Sequence, residues 1–109
     1  MPRIDTTKRF AMDLDLIHKA LANPFRRDVL EWLKRPDEAF VHQLAGPANG
    51  VPSTAIQTRS GLSQSTVSVH LAALTQAGLL VSERVGQWTF FSRNEDVIRA
   101  FASEISARL

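Results

Sequence analysis

Gly61-Leu62-Ser63-Gln64-Ser65-Thr66-Val67-Ser68-Val69-His70-Leu71, with Ala77-Gly78-Leu79-Leu80-Val81 close behind, is the stretch that decides the architecture. Gly61 reads as the residue just past a helix end, where a left-handed backbone is needed. Two residues on, Ser63 is an N-cap, because its hydroxyl can accept an orphan N–H of the next helix. The stretch therefore predicts a helix from Pro52 or Ser53 to Gly61, a three-residue turn, and a second helix over 64–77 stopped by Gly78. On that second helix Val67, Leu71 and Leu74 fall on one face, and Ser65, Ser68, Val69 and Ala72 on the opposite one. Residues 79–85 and 88–93 are rich in β-branched and aromatic side chains, and Gly86-Gln87 between them suits a two-residue hairpin turn.

Two helices joined by a glycine-containing turn and followed at once by a hairpin form a winged helix-turn-helix. Packing through Ile56, Leu62, Val67 and Leu71 is expected to lift the N-terminal half of helix 64–77 off the body of the domain. Side chains presented there must be short or polar to enter a major groove about 12 Å wide. Gln64, Ser65, Thr66, Ser68 and Val69 meet that requirement, with Ser63 at the helix start. Glutamine can pair with adenine, serine and threonine reach phosphates or bases, and a small apolar group covers a thymine methyl. The free N–H groups at the helix start also suit a phosphate. Arg84 and Gln87 lie near the wing tip, and Trp88 is expected to pack across the hairpin on Val85. His70 falls at the edge between the two stripes and reads as structural or phosphate-contacting.

Outward from this unit, Asp13 caps a helix over 14–22 with Leu14, Ile17 and Leu21 on one face. Pro24 ends it and, with Asn23 as cap, opens a helix over 24–35. That helix has an apolar stripe of Phe25, Val29, Trp32 and Leu33, and i, i+4 charge pairs Arg27–Glu31 and Glu31–Arg35 on its other side. Residues 36–50 read as a long connection holding a short ordered piece, and residues 1–12 as a polar arm. Asn94 caps a last helix to about residue 108, with Ile98, Phe101, Ile105 and Leu109 in one stripe. Such a stripe closing a short chain reads as buried against a partner subunit.

Charge supports a polyanionic partner. From Ala39 to Ser82 there is no Asp or Glu, whereas an even spread of the 11 acidic residues would place about four there. Hydroxyls and amides fill the stretch, a composition suited to phosphates and base edges. The 109 residues allow one domain, 1–109, mainly α with a two-stranded hairpin and about five helices. With no cysteine there is no disulfide, thiolate metal site or thiol sensor. No apolar run approaches the ~18 residues of a membrane span, and no apolar segment follows Arg3, Lys8 and Arg9 as in a signal peptide. A cytoplasmic protein without membrane contact is expected. No nucleophile elbow, phosphate loop or acid/base pair marks an enzyme, and no cofactor is expected.

Three blocks carry a family resemblance: Leu21-Ala22-Asn23-Pro24-Phe25-Arg26-Arg27, Gly61 to Leu71, and Ala77 to Val81 with Arg84, Gly86 and the aromatic strand. Together they resemble the ArsR/SmtB family of bacterial winged-helix repressors over roughly residues 14–109. The resemblance implies a homodimer built on the first and last helices, here through Leu14, Ile17, Leu21, Ile98, Phe101 and Ile105. It also implies repression at a palindromic operator in double-stranded DNA, relieved by a signal. The chain departs from the pattern in its longer 36–50 connection and in Val69, where many members have histidine. The family's thiolate metal site has no cysteine to build it, and the last helix has no histidine, only Asp96 and Glu104 eight residues apart. His18, His42 and His70 lie on three different elements. These departures favour an unidentified small-molecule effector, or none, over a carboxylate/histidine metal site. A metal-responsive repressor, or a winged helix used for protein contact, are the alternatives.

Overall fold

The computed structural model describes residues 12–40, 46 and 50–109. Helix α1 (Leu14–Leu21) starts where Asp13 Oδ1 accepts the Leu16 N–H at 3.2 Å. Helix α2 (Pro24–Lys34) has proline in its first turn, where no intrahelical donor is lost, and Asn23 Oδ1 accepts the Arg26 N–H. Both caps are those the sequence predicts. The predicted ion pairs of α2 do not form, and Arg27 instead donates to the Leu21 carbonyl at 2.6 Å.

Pro36 opens a single helical turn, α3 (Pro36–Ala39), so the described residues hold six helices rather than about five. His42 lies outside the described residues. Gly46 N–H donates to the Gly50 carbonyl at 2.8 Å, and the Gly46 α-carbon sits on the Phe90 ring so closely that a β-carbon would overlap it.

The sheet is larger than the predicted hairpin. Strand β1 (Val51–Pro52) pairs antiparallel with β3 (Trp88–Arg93), which pairs with β2 (Leu80–Val85), in the order β1-β3-β2. Two residues, one a proline, show no strand periodicity, and an edge position is where proline is tolerated. Gly86, at φ +60°, turns β2 into β3 and sets Val85 opposite Trp88.

Helix α4 (Ser53–Ser60) ends at Gly61, whose φ is +71°. Helix α5 (Gln64–Gln76) closes in a Schellman motif: Leu79 N–H donates to the Leu74 carbonyl and Gly78 N–H to the Thr75 carbonyl, both at 3.0 Å. Asn94 Oδ1 accepts the Val97 N–H to start α6 (Glu95–Arg108).

One core joins all these elements, α3 through the half-buried Ala39. Ile17, Val29, Leu33, Ile56, Val67, Leu71, Leu74, Leu79 and Val97 are buried together. Phe25 and Trp32 are only half-buried beside them. Two expectations change. Ile17 has no exposed surface, so it belongs to its own chain's core and is not available to a partner. Leu62, expected to pack between α4 and α5, is exposed in the turn. Among the described residues no helix is long and apolar enough to cross a membrane.

Candidate nucleic-acid interface

The α5 face opposite the core is built from side chains of the kind the groove requires. Val67, Leu71 and Leu74 are buried beneath the helix, which leaves Gln64, Ser65, Thr66, Ser68 and Val69 exposed, Val69 at 63%. Ser63 is exposed too, but its hydroxyl is committed: Oγ accepts the Thr66 N–H at 3.2 Å and donates to Thr66 Oγ1 at 2.9 Å. It shapes the helix start more than it offers a free contact.

Between α5 and the wing lies an open concavity of about 620 Å³. Gln64, Ser68 and Ala72 line one side, Ser82, Arg84 and Thr89 the other, and Ser53 and Thr54 of α4 lie along it. Among the described residues no carboxylate lines it. The strand alternation explains why: Ser82 and Arg84 point into the concavity, and Glu83 between them falls on the other face of β2. Arg84 Nε donates to the Gly86 carbonyl at 3.2 Å, which holds the guanidinium at the wing tip beside Gln87. Trp88 also lines this space and is 47% exposed, so pairing opposite Val85 does not cover it.

Ser53 and Thr54 are lining residues that the motif reading missed, and Trp88 is one that it placed on Val85 instead. The acid-free run from Ala39 to Ser82 contains the first two, and was the signal that could have found them. Arg59, the single Arg of that run, is turned away. It stacks on Trp32 at 4.7 Å and donates to the Ala39 carbonyl at 2.9 Å.

His70 does not stand with the exposed stripe. Its Nδ1 accepts Arg26 Nε–H at 2.9 Å, and its ring meets Phe25 edge-on at 5.0 Å, so the side chain is committed to α2. Burial, and then the Arg26 guanidinium, hold the imidazole below its ordinary pKa of 6.5. The structural half of the two roles read for it from sequence is the one its contacts serve.

On α1 and α6, His18 meets Phe101 edge-on at 5.4 Å. Asp96 pairs with Arg99 at 2.9 Å and Glu104 with Arg108 at 2.7 Å. Among the described residues no three His, Asp or Glu side chains converge on a common point. Leu14, Leu21, Ile98, Phe101 and Ile105 are half-buried, and Leu16, absent from the predicted stripe, is 40% exposed.

The chain matches known proteins over this same unit. The model of the family described as bacterial regulatory protein, arsR family, matches residues 58–82, from the end of α4 into β2. An uncharacterised HTH-type transcriptional regulator of Bacillus subtilis, YbzH, is 35% identical over 95 residues, covering 85% of this chain and 95% of YbzH. The solution structure of a homodimeric winged helix-turn-helix DNA-binding domain from Mycobacterium bovis, a possible ArsR-family regulator, is 28% identical with a TM-score of 0.64. That match covers 98% of this chain and 89% of the other. A crystal structure of a possible transcriptional regulatory protein from the same organism is 30% identical with a TM-score of 0.63, over 88% and 91% of the two chains.

Proposed function

Because this chain belongs to the ArsR family of bacterial regulatory proteins, and is a transcriptional regulator with a winged-helix DNA-binding domain, we propose that it acts in the cytoplasm as a homodimeric repressor at a palindromic operator. The observation that carries the reading is the concave face that, among the described residues, has no carboxylate and is lined by neutral hydrogen-bonding side chains and Arg84 beside the apolar Ala72, Trp88 and Phe91. In this reading Gln64, Ser65, Thr66, Ser68 and Val69 enter the major groove, with Gln64 able to pair with adenine and Val69 to cover a thymine methyl. Arg84 and Gln87 reach the backbone beside it, and the free N–H groups of the first turn of α5 take a phosphate.

A palindrome requires two copies of α5 on one DNA face, about one helical turn or a multiple apart. The homodimeric state described for the M. bovis domain supports a second copy docked on α1 and α6. Leu14, Leu16, Leu21, Ile98, Phe101 and Ile105 would meet it, with Ile17 serving each subunit's own core. The signal is a non-metal ligand at that interface, or protein concentration alone. Asp96 and Glu104 already hold arginines, which supports this choice over a carboxylate site.

The test is a binding selection on fragmented DNA of the encoding genome, followed by gel mobility shift. We expect a palindromic site bound with a preference over scrambled DNA of about a thousandfold or more. Binding without sequence preference would overturn the reading. Adding zinc, nickel, cadmium or arsenite, with EDTA as control, is expected to leave the complex intact, and release by a stoichiometric metal would restore the metal-sensor alternative.

A further inference from the structure

Burial of Val67, Leu71 and Leu74 sets which face of α5 turns outward, but apolar packing is non-directional, so the finer setting of the helix's roll falls to directional contacts. From residue 64 to 76 the helix has no charged side chain with which to anchor itself. Its directional tie to α2 is made by His70, which lies on the flank between the buried stripe and the exposed one. Arg26 Nε–H donates to His70 Nδ1 at 2.9 Å, and Phe25, the preceding residue, meets the same ring edge-on at 5.0 Å and 64°. Arg26 N–H is in turn fixed by Asn23 Oδ1, the cap of α2. A chain of contacts thus runs from the start of α2 to the middle of α5, one turn from Ser65, Thr66 and Ser68.

The contact has a strict protonation requirement. Nδ1 can accept only from the neutral imidazole with its proton on Nε2. Protonation places an N–H on Nδ1 facing the Arg26 Nε–H and sets two cations side by side. Of the elements packed on α5, α2 brings Arg26 to the ring, and among the described residues α1, α4 and β2 bring no charge that acts on it.

We propose that Arg26 and His70 form a positioning latch that sets the roll of α5 on the domain, so that specific operator binding requires neutral His70 and weakens on acidification. The proposal rests on the reading of α5 as the DNA-reading helix. Both the half-burial of the ring and the nearby guanidinium place the change on the acid side of the ordinary histidine range. The sign separates this role from a direct one. A histidine touching phosphate would bind DNA more tightly when protonated; a latch histidine loses the operator.

The test uses the full chain, the duplex returned by the genomic selection and a scrambled duplex of equal length, at constant ionic strength. Fluorescence anisotropy gives the ratio of the two affinities at each pH. For the wild type we expect the ratio to fall about tenfold between roughly pH 7.5 and 5.5, the scale of one charge-assisted hydrogen bond. His70→Asn places an amide oxygen where Nδ1 stood and keeps an acceptor for Arg26 without titrating in this range, so its ratio should stay near the wild-type value and flat. His70→Phe keeps the ring against Phe25 but accepts nothing, and should be low and flat. His18 and His42 remain in both variants, so differences from wild type report His70 alone. Thermal unfolding at the two pH values, with and without Arg26→Ala, reads the contact without DNA: coupling between Arg26 and His70 should be present at the higher pH and gone at the lower.

A wild-type ratio that rises on acidification, or a His70→Asn profile that follows the wild type, would overturn the latch. Gln64→Ala in the same assay keeps the two readings distinct. If it leaves base preference unchanged, α5 is not the reader and the underlying function fails. If it relaxes preference while the His70 variants match wild type, the latch alone fails.

Discussion

The α5–wing face and the surface of α1 and α6 are built on different plans. α5 buries its whole apolar stripe in its own chain, with Val67 and Leu71 at 2% exposure and Leu74 at 0%, and shows neutral polar groups outward. On α6 the most deeply buried residue is Val97, and Ile98, Phe101 and Ile105 are left half-covered between arginine–carboxylate pairs. A completed polar face without carboxylates suits a polyanion that comes and goes. A half-covered apolar stripe flanked by satisfied charges suits a permanent second copy, because only burial in a partner removes the rest of it from water. The two surfaces should therefore respond differently to substitution.

The largest effect is expected from breaking the second surface. Ile105→Glu puts a charge into the half-buried stripe without touching the core. It should give monomers by light scattering and lower operator affinity by about 10²–10⁴, the avidity of two linked half-sites. A dimeric Ile105→Glu protein would place the subunit contact elsewhere. Next comes the reader: Gln64→Ala should cost about 1–3 kcal/mol on the operator and relax preference at one base pair per half-site, measured by competition with single-substitution duplexes.

Arg84→Ala should weaken all sequences alike and flatten the salt dependence by about one unit of log–log slope per wing, read from anisotropy titrations at several salt concentrations. The contrast between Gln64 and Arg84 sharpens the division between reading and anchoring within one concavity. The smallest effect lies at the first residue of α6, off its half-covered apolar stripe. The Arg93 side chain donates to both Glu95 carboxylate oxygens, at 2.8 and 3.2 Å, and this hydrogen bonding holds the Glu95 carboxyl below its ordinary 4.5. A folded pKa below the unfolded one gives stability that is present above the ordinary value and lost as pH falls through the folded one. Thermal melts in acid should thus show wild type losing a slight advantage over Glu95→Gln, slight because Glu95 is half exposed.

Much of this division is readable in the residues, for local reasons. Asp13, Asn23, Ser63 and Asn94 cap the helices they precede, and Gly61, Gly78 and Gly86 take the positive φ their turns require. Caps and turns are short-range chemistry, so the helix limits fall within about one residue of those read from spacing. What escapes is what depends on distant partners. Ile17 shares a periodic face with Leu14 and Leu21, yet periodicity cannot say whether a stripe faces its own chain or another. His70 finds its partner 44 residues away, and Arg59 its carbonyl 20 residues away. β1 is invisible because it exists only through β3, and α3 is legible only as a short ordered piece within 36–50 because one turn after a proline leaves no pattern to count.

The most direct test of the division is an amide chemical-shift titration of the isotope-labelled protein with the selected duplex. We expect shifts over the first half of α5, the adjoining start of α4, and residues 82–89 of the wing, with the outer surface of α6 unchanged. Shifts concentrated on α1 and α6, with Gln64 to Val69 unmoved, would contradict it: DNA would then occupy the surface assigned to the second subunit.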